Sequence, residues 1–295
     1  MNILLRKGIL ALALVLLAGA VVFISCQPAE EPDEAVVDLG TVEMTYVEWD
    51  CANASTHVMK VVLEEVGYEV ELTAVTGAAM YQALATDATD GMVTAWLPVT
   101  HGEYWEGVKD QVENLGPLYE GAALGWIVPT YVEIDSVTEL NDHADEFDNR
   151  IVGIDPGAGL MGLSEEMFEV YDLDNFELIE GSDATMTAAL DDAYGNEEWI
   201  VVTGWAPHWK FGPYDLKFLD DPEGVLGGEE YIAAMVPNGK RDQYPEFVHV
   251  LENFYWTDSQ IATVMTWVAE GMDSYEAAQQ WVSQNRDVVE QWLPN

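Results

Sequence analysis

The chain is 295 residues long, room for one large domain or two of ordinary size, and 49% of its residues are hydrophobic, enough for a substantial core. Against 10 Lys and Arg stand 54 Asp and Glu, a formal net charge of -44 that excludes a nucleic-acid partner, because phosphates need a basic surface. The 2 cysteines supply neither a disulfide framework nor a zinc-ligand spacing, and the 11 tryptophans are a compositional excess that asks for a role.

In chain order, residues 1–25 carry Arg6 and Lys7, then an apolar run from Gly8 to Ile24 with no acid, the layout of a secretory signal. The run stops at Ser25-Cys26, and a polar, Pro-rich acidic linker follows over 26–40. A signal ending in a cysteine resembles the lipobox of bacterial lipoproteins, which implies diacylglycerol on Cys26; an uncleaved signal anchor is the alternative. Both put the folded part outside the cytoplasm, tethered to a membrane by a flexible stalk. Of charged residues, removal of the signal takes away only Arg6 and Lys7, so the remaining chain is more acidic still. The scattered acids read either as a solvated surface or as adaptation to brine, where molar salt screens their repulsion.

Beyond the linker, strand-like and helix-like segments alternate. Thr45 to Trp49 reads as a buried strand, and Asn53 to Val66 as a helix with Met59, Val62, Leu63 and Val66 on one face, stopped by Gly67. Tyr68 to Val75 reads as a strand, Ala78 to Ala85 as a helix and Gly91 to Trp96 as a strand. The same programme then repeats. TYVEWD at 45–50 corresponds to RIVGID at 150–155, VELTAV at 70–75 to FELIEG at 176–181, and MYQALATDA at 80–88 to MTAALDDAY at 186–194. GMVTAWLPVTH at 91–101 matches WIVVTGWAPHW at 199–209, and LGWIVP at 124–129 matches IAAMVP at 232–237. Two similar α/β units predict two lobes, each a mainly parallel sheet flanked by helices, with a ligand cleft between them. The boundaries are expected near 125–131 and 230–238, giving lobe 1 as 41–128 plus 238–295 and lobe 2 as 129–237. The apolar helical tail from Pro245 to Leu293 is expected to pack back on lobe 1.

Ligands of open parallel sheets collect beyond the carboxyl ends of strands. Trp49, Trp96 and Trp205 stand at such ends, as does Asp155 leading into the PGAGLMG turn; the remaining tryptophans, among them Trp256, Trp267, Trp281 and Trp292, are assigned to packing. Three indoles form a cage suited to a quaternary ammonium, whose diffuse charge offers no hydrogen bond. The glycine-rich helix start offers free N–H groups to an anion, and His101 adds a side-chain donor. The combination predicts a ligand with a methylated cation at one end and a carboxylate at the other.

WD at 49–50, AWLPVTH at 95–101, GIDPGAGLM at 153–161 and TGWAPHWKF at 203–211 resemble the glycine betaine- and proline betaine-binding lipoproteins of ABC importers, over about Thr45 to Trp292. The resemblance implies a two-lobe periplasmic-binding fold of type II and a cage of Trp49, Trp96 and Trp205. It also implies carboxylate contacts from the Gly159 and Leu160 amides and the His101 side chain, and a membrane permease that receives the ligand. A monomer is expected, with no cofactor and no metal. Cys51 stands where the family often has Ser. Choline, carnitine or dimethylsulfoniopropionate are the alternative ligands. A secreted hydrolase is the poorer alternative, since the five histidines lack metal spacing and no GxSxG occurs.

Overall fold

The computed structural model describes residues 38–294. The signal segment, Cys26 and all but the last residues of the acidic linker lie outside the described residues.

The first unit begins with β1 (Gly40–Tyr46), α1 (Asp50–Val66), β2 (Tyr68–Ala74), α2 (Gly77–Ala85), β3 (Met92–Leu97) and α3 (Gly102–Val108). A long strand, β4 (Val112–Pro129), leads into the second unit: β5 (Arg150–Val152), α4 (Gly159–Val170), β6 (Glu177–Ile179), α5 (Asp183–Asn196) and β7 (Val202–Ala206). Short 3-10 turns at Val137–His143 and Trp209–Phe211 flank this unit, and β8 (Leu216–Phe218) and β9 (Glu230–Pro237) follow. The tail contains α6 (Lys240–Gln243), α7 (Pro245–Asn253), α8 (Asp258–Ala269), α9 (Ser274–Gln284) and α10 (Arg286–Val289).

Local boundaries follow local chemistry. Helix α1 buries Met59, Val62 and Leu63 and ends where Gly67 takes φ +119, a left-handed conformation that a side chain disfavours. It starts earlier than its apolar periodicity suggests. Trp49 is its extended N-cap and Asp50 sits in its first turn, so β1 ends at Tyr46 and Trp49 belongs to the strand-to-helix turn. An acid in the first turn favours that start, because the helix N-terminus carries partial positive charge.

The repeat is visible in the topology. In one lobe the strand order is β2-β1-β3-β9, with β1 reaching β3 through the Met44–Gly91 bridge; in the other it is β6-β5-β7-β4. Pairing is parallel for β1–β2, β5–β6 and β5–β7. Strands β4 and β9 pair antiparallel with their neighbours, so each sheet is parallel at one side and antiparallel at the crossover. The first part of β4, Val112 to Ala122, pairs with β9, whereas Ala123 to Ile127 pairs with β7. Sequence spacing put 129–237 in lobe 2, but β9 hydrogen-bonds to β3 and so lies in the sheet of lobe 1. A strand that crosses between lobes carries no compositional mark of the crossing.

The tail lies on lobe 1. The Tyr275 hydroxyl donates to the Glu64 carboxylate of α1, and Arg286 pairs with Glu65 at 2.6 Å. Trp256, Trp281 and Trp292 are buried together with Phe254, Trp281 stacking on Trp292 at 5.9 Å, as packing residues would. Trp267 is half-buried against the same core.

Candidate functional site

Trp49, Cys51, Trp96, Thr100, His101, Leu124, Ile154, Ala158, Gly159, Leu160 and Trp205 line one cavity. All six residues nominated as ligand contacts are in that lining, drawn from both lobes, and among the described residues no carboxylate belongs to it. Each tryptophan arrives from a comparable place: Trp49 caps α1 just beyond β1, while Trp96 and Trp205 lie near the ends of β3 and β7.

His101 is fully buried, packed against Trp49, Tyr81 and Tyr104. Burial pushes its pKa down to about 3, so the ring is neutral at physiological pH. The backbone N–H of Trp96 donates to its Nδ1 at 3.1 Å, which leaves the proton on Nε2. Among the described residues that Nε2 has no partner. A buried, unpaired N–H beside the cavity is a donor waiting for an acceptor. The loop that carries it is fixed by the buried Glu230 carboxylate, which accepts the backbone N–H of Val99 at 2.6 Å and of Thr100 at 2.9 Å.

From the other side, α4 points its N-terminus at the same cavity. Its N-cap, Ala158, has no side chain to cap the helix, so the amides of Gly159 and Leu160 stay available to an anion. A Cβ at Gly159 would run into the Thr100 carbonyl of lobe 1, so only glycine lets the lobes close this far.

Polar contacts cross the cleft around the cavity. The Trp49 indole N–H donates to Asp155 Oδ1 at 2.8 Å, the Asp50 amide to Asp183 Oδ2 at 3.1 Å, and the Tyr104 hydroxyl to the Gly157 carbonyl at 3.2 Å. The Trp209 indole N–H donates to the Asp50 carboxylate. Trp209 is thus a cross-cleft residue, which a packing assignment for the tryptophans outside the cage misses.

Behind Trp205 lies a buried charged cluster. Asp50, Asp183 and His208 bring one ligand-type atom each within 4.8 Å of one another, the arrangement in which a metal would be sought. Its partners are already supplied by protein. The Lys210 backbone N–H donates to His208 Nδ1 at 3.1 Å, so His208 Nε2 donates to Asp183 Oδ1 at 3.0 Å. The fully buried Lys210 ammonium stands 4.4 Å from the Trp205 ring centroid and provides the positive charge. Burial lowers Lys210 to about 8, and burial with the Lys210 charge lowers His208 to about 4. Burial raises Asp183, yet the His208 hydrogen bond and the Lys210 charge outweigh it and hold the carboxyl below its ordinary value. Burial and the Asp183 charge push Asp50 up to about 7. Cys51, without a disulfide partner among the described residues, is pushed up to about 12 by burial and the Asp183 and Asp50 charges. It is a neutral thiol in the cavity wall.

Residues 40–284 match the family described as the substrate binding domain of the ABC-type glycine betaine transport system. The chain belongs to that family. Among curated proteins similar to the chain, the glycine betaine/carnitine transport binding protein GbuC of Listeria monocytogenes serotype 1/2a (strain 10403S) is 42% identical over 153 residues. That stretch is 51% of this chain and 51% of the Listeria protein, so the match spans about half of each. Two solved structures of similar proteins are each 38% identical to the chain. One is lactococcal OpuAC, closed and complexed with glycine betaine; it has a TM-score of 0.83, with 86% of this chain and 100% of that one covered. The other is the glycine/betaine/L-proline-binding protein ProX from Borrelia burgdorferi; it has a TM-score of 0.84, with 86% and 97% covered. The family fold, two α/β lobes about a cleft, is the fold described above.

The three cavity-lining tryptophans were legible because the repeat placed them at or just beyond strand ends. Asp155, Asp183, Trp209 and Lys210 were not singled out. For Asp155 a signal existed, since it occupies in RIVGID the position that Asp50 occupies in TYVEWD.

Proposed function

We propose that this protein captures glycine betaine, or a closely related zwitterionic quaternary ammonium compound, on the outer side of the membrane and delivers it to the permease of an ABC importer. The observation that carries this reading is the meeting of Trp49, Trp96 and Trp205 from both lobes around one cavity whose lining holds no carboxylate. A trimethylammonium group fits that chemistry, each indole face contributing roughly 0.5–2 kcal/mol. The carboxylate end is taken by the His101 Nε2–H and by the Gly159 and Leu160 amides. Cys51 is a small neutral wall residue. No nucleophile–base pair or metal enters this account, and the protein acts as a binding protein, not an enzyme.

The cage is complete only when both lobes contribute, so ligand binding favours the closed form and the closed form is what the permease receives. We divide the lobes by their sheets, placing 40–122 and 230–294 in lobe 1 and 123–229 in lobe 2. The chain acts as a monomer, held at the membrane by a lipid on Cys26; the mass of protein extracted from membranes tests that anchor. Proline betaine, carnitine and dimethylsulfoniopropionate satisfy both ends of the site. Choline leaves the His101 donor and the α4 amides without an anion, which costs affinity. Isothermal titration with glycine betaine, proline betaine, choline and dimethylsulfoniopropionate tests the reading. Saturable binding of the zwitterions, with choline weaker, is expected, and binding of none of the four overturns it.

A further inference from the structure

The two aspartates at the same position of the two repeat units, Asp50 and Asp155, make the same kind of bond in opposite directions. Asp155, in lobe 2, accepts the indole N–H of Trp49 from lobe 1 at 2.8 Å. Asp50, in lobe 1, accepts the indole N–H of Trp209 from lobe 2. Neither aspartate nor Trp209 lines the cavity, whereas Trp49 does. Each aspartate oxygen accepts an indole N–H that is partly shielded from water at the lobe seam, where a hydrogen bond is stronger than in bulk water. Both bonds exist only while the lobes are together.

We propose that Asp50 and Asp155 form a reciprocal latch between the lobes, each carboxylate holding an indole N–H of the opposite lobe, which sets how long the closed protein retains its ligand. They are positioning residues: they touch no ligand and act through closure, and Asp155 also fixes the plane of the Trp49 ring that faces the cavity. The inference rests on the binding function proposed above and adds to it the groups that hold the closed state. Because a latch acts after encounter, it governs dissociation and leaves association unchanged. The Asp50 amide also donates to Asp183 across the same seam.

The experiment uses stopped-flow binding of glycine betaine to the folded chain, with an interlobe fluorescence pair reporting closure, in Asp155→Ala, Asp155→Asn and Trp209→Phe. Phenylalanine keeps an aromatic ring at 209 and removes the N–H; asparagine keeps an oxygen acceptor at 155. About tenfold faster dissociation is expected in Asp155→Ala and Trp209→Phe, with association within twofold of wild type and a smaller closed fraction. Asp155→Asn, which keeps an oxygen acceptor but no charge, recovers most of the loss, which a purely charge-based role does not predict. Combining Asp155→Ala with Trp209→Phe multiplies the two effects, since the bonds are separate and bias one equilibrium. Dissociation within twofold of wild type in both single variants, while wild-type protein binds betaine, overturns the latch and leaves the binding function standing. Wild-type protein that binds none of the onium ligands overturns the function, and the latch as a means of retention with it.

Discussion

The loops that follow β3 and β7 come from equivalent places in the two lobes, and each carries a buried histidine whose Nδ1 accepts a backbone N–H. Burial depresses both rings, His101 to about 3 and His208 to about 4, so both are neutral with the proton on Nε2. They differ in where that proton goes. His208 spends it on Asp183 within lobe 2, whereas His101 Nε2 has no partner among the described residues and adjoins the cavity. One device thus serves internal structure in one lobe and, under the proposed function, recognition in the other.

Four perturbations break or sharpen that contrast, in falling order of effect. Replacing Trp281, buried in the tail of lobe 1, by Ala is expected to lower stability by about 3–5 kcal/mol in denaturant unfolding while calorimetric affinity stays near wild type. Trp96→Ala and Trp205→Ala should each weaken betaine binding by roughly 1–3 kcal/mol, because stacking and burial around the cation are lost. An equal affinity loss in Trp281→Ala would remove the distinction between cage and core. His101→Ala should cost about 1.5 kcal/mol for glycine betaine and little for choline, so the two ligands draw together in calorimetry. His208→Ala should instead lower stability and leave that discrimination in place.

A further contrast concerns protons. His101 is packed by Trp49, Tyr81 and Tyr104 of its own lobe, and His208 bonds to Asp183 of its own lobe. Asp50 is different, because it faces Asp183, His208 and Lys210, all of lobe 2, and has Cys51 beside it. Closed, its carboxyl is raised to about 7 by burial and the Asp183 charge; open, it returns toward the ordinary value near 4. The closed form therefore holds an extra proton between those limits. Closure is favoured at low pH, and the advantage disappears as pH rises to about 7. Affinity should fall as pH rises from 5 to about 7 and then level off, and Asp50→Asn should flatten the profile. The smallest expected effect is that of salt. A zwitterion has no net charge for the acidic surface to attract, so affinity should hardly change between low and molar NaCl, although folding stability of so acidic a chain should rise with salt.

Much of this was legible before any coordinates. Alternating strand and helix patterns, repeated with matched spacing, gave the two-lobe fold, and strand ends nominated Trp49, Trp96 and Trp205 along with the α4 start. What escaped depends on how the lobes sit against each other. The Trp49–Asp155 and Trp209–Asp50 bonds join residues 106 and 159 positions apart, and no local pattern pairs them. Lys210 would be placed on the surface by type; its full burial follows from an aromatic ring and two carboxylates that only the fold assembles around it. The tautomer of His101 likewise depends on a backbone N–H turned toward it by the loop.

The most direct test of the central claim titrates glycine betaine and unmethylated glycine into the same protein by calorimetry. Both ligands offer the carboxylate; only one offers the methylated cation. The cage predicts one betaine site per chain with glycine bound at least about a hundredfold more weakly, and equal binding of the two would contradict it.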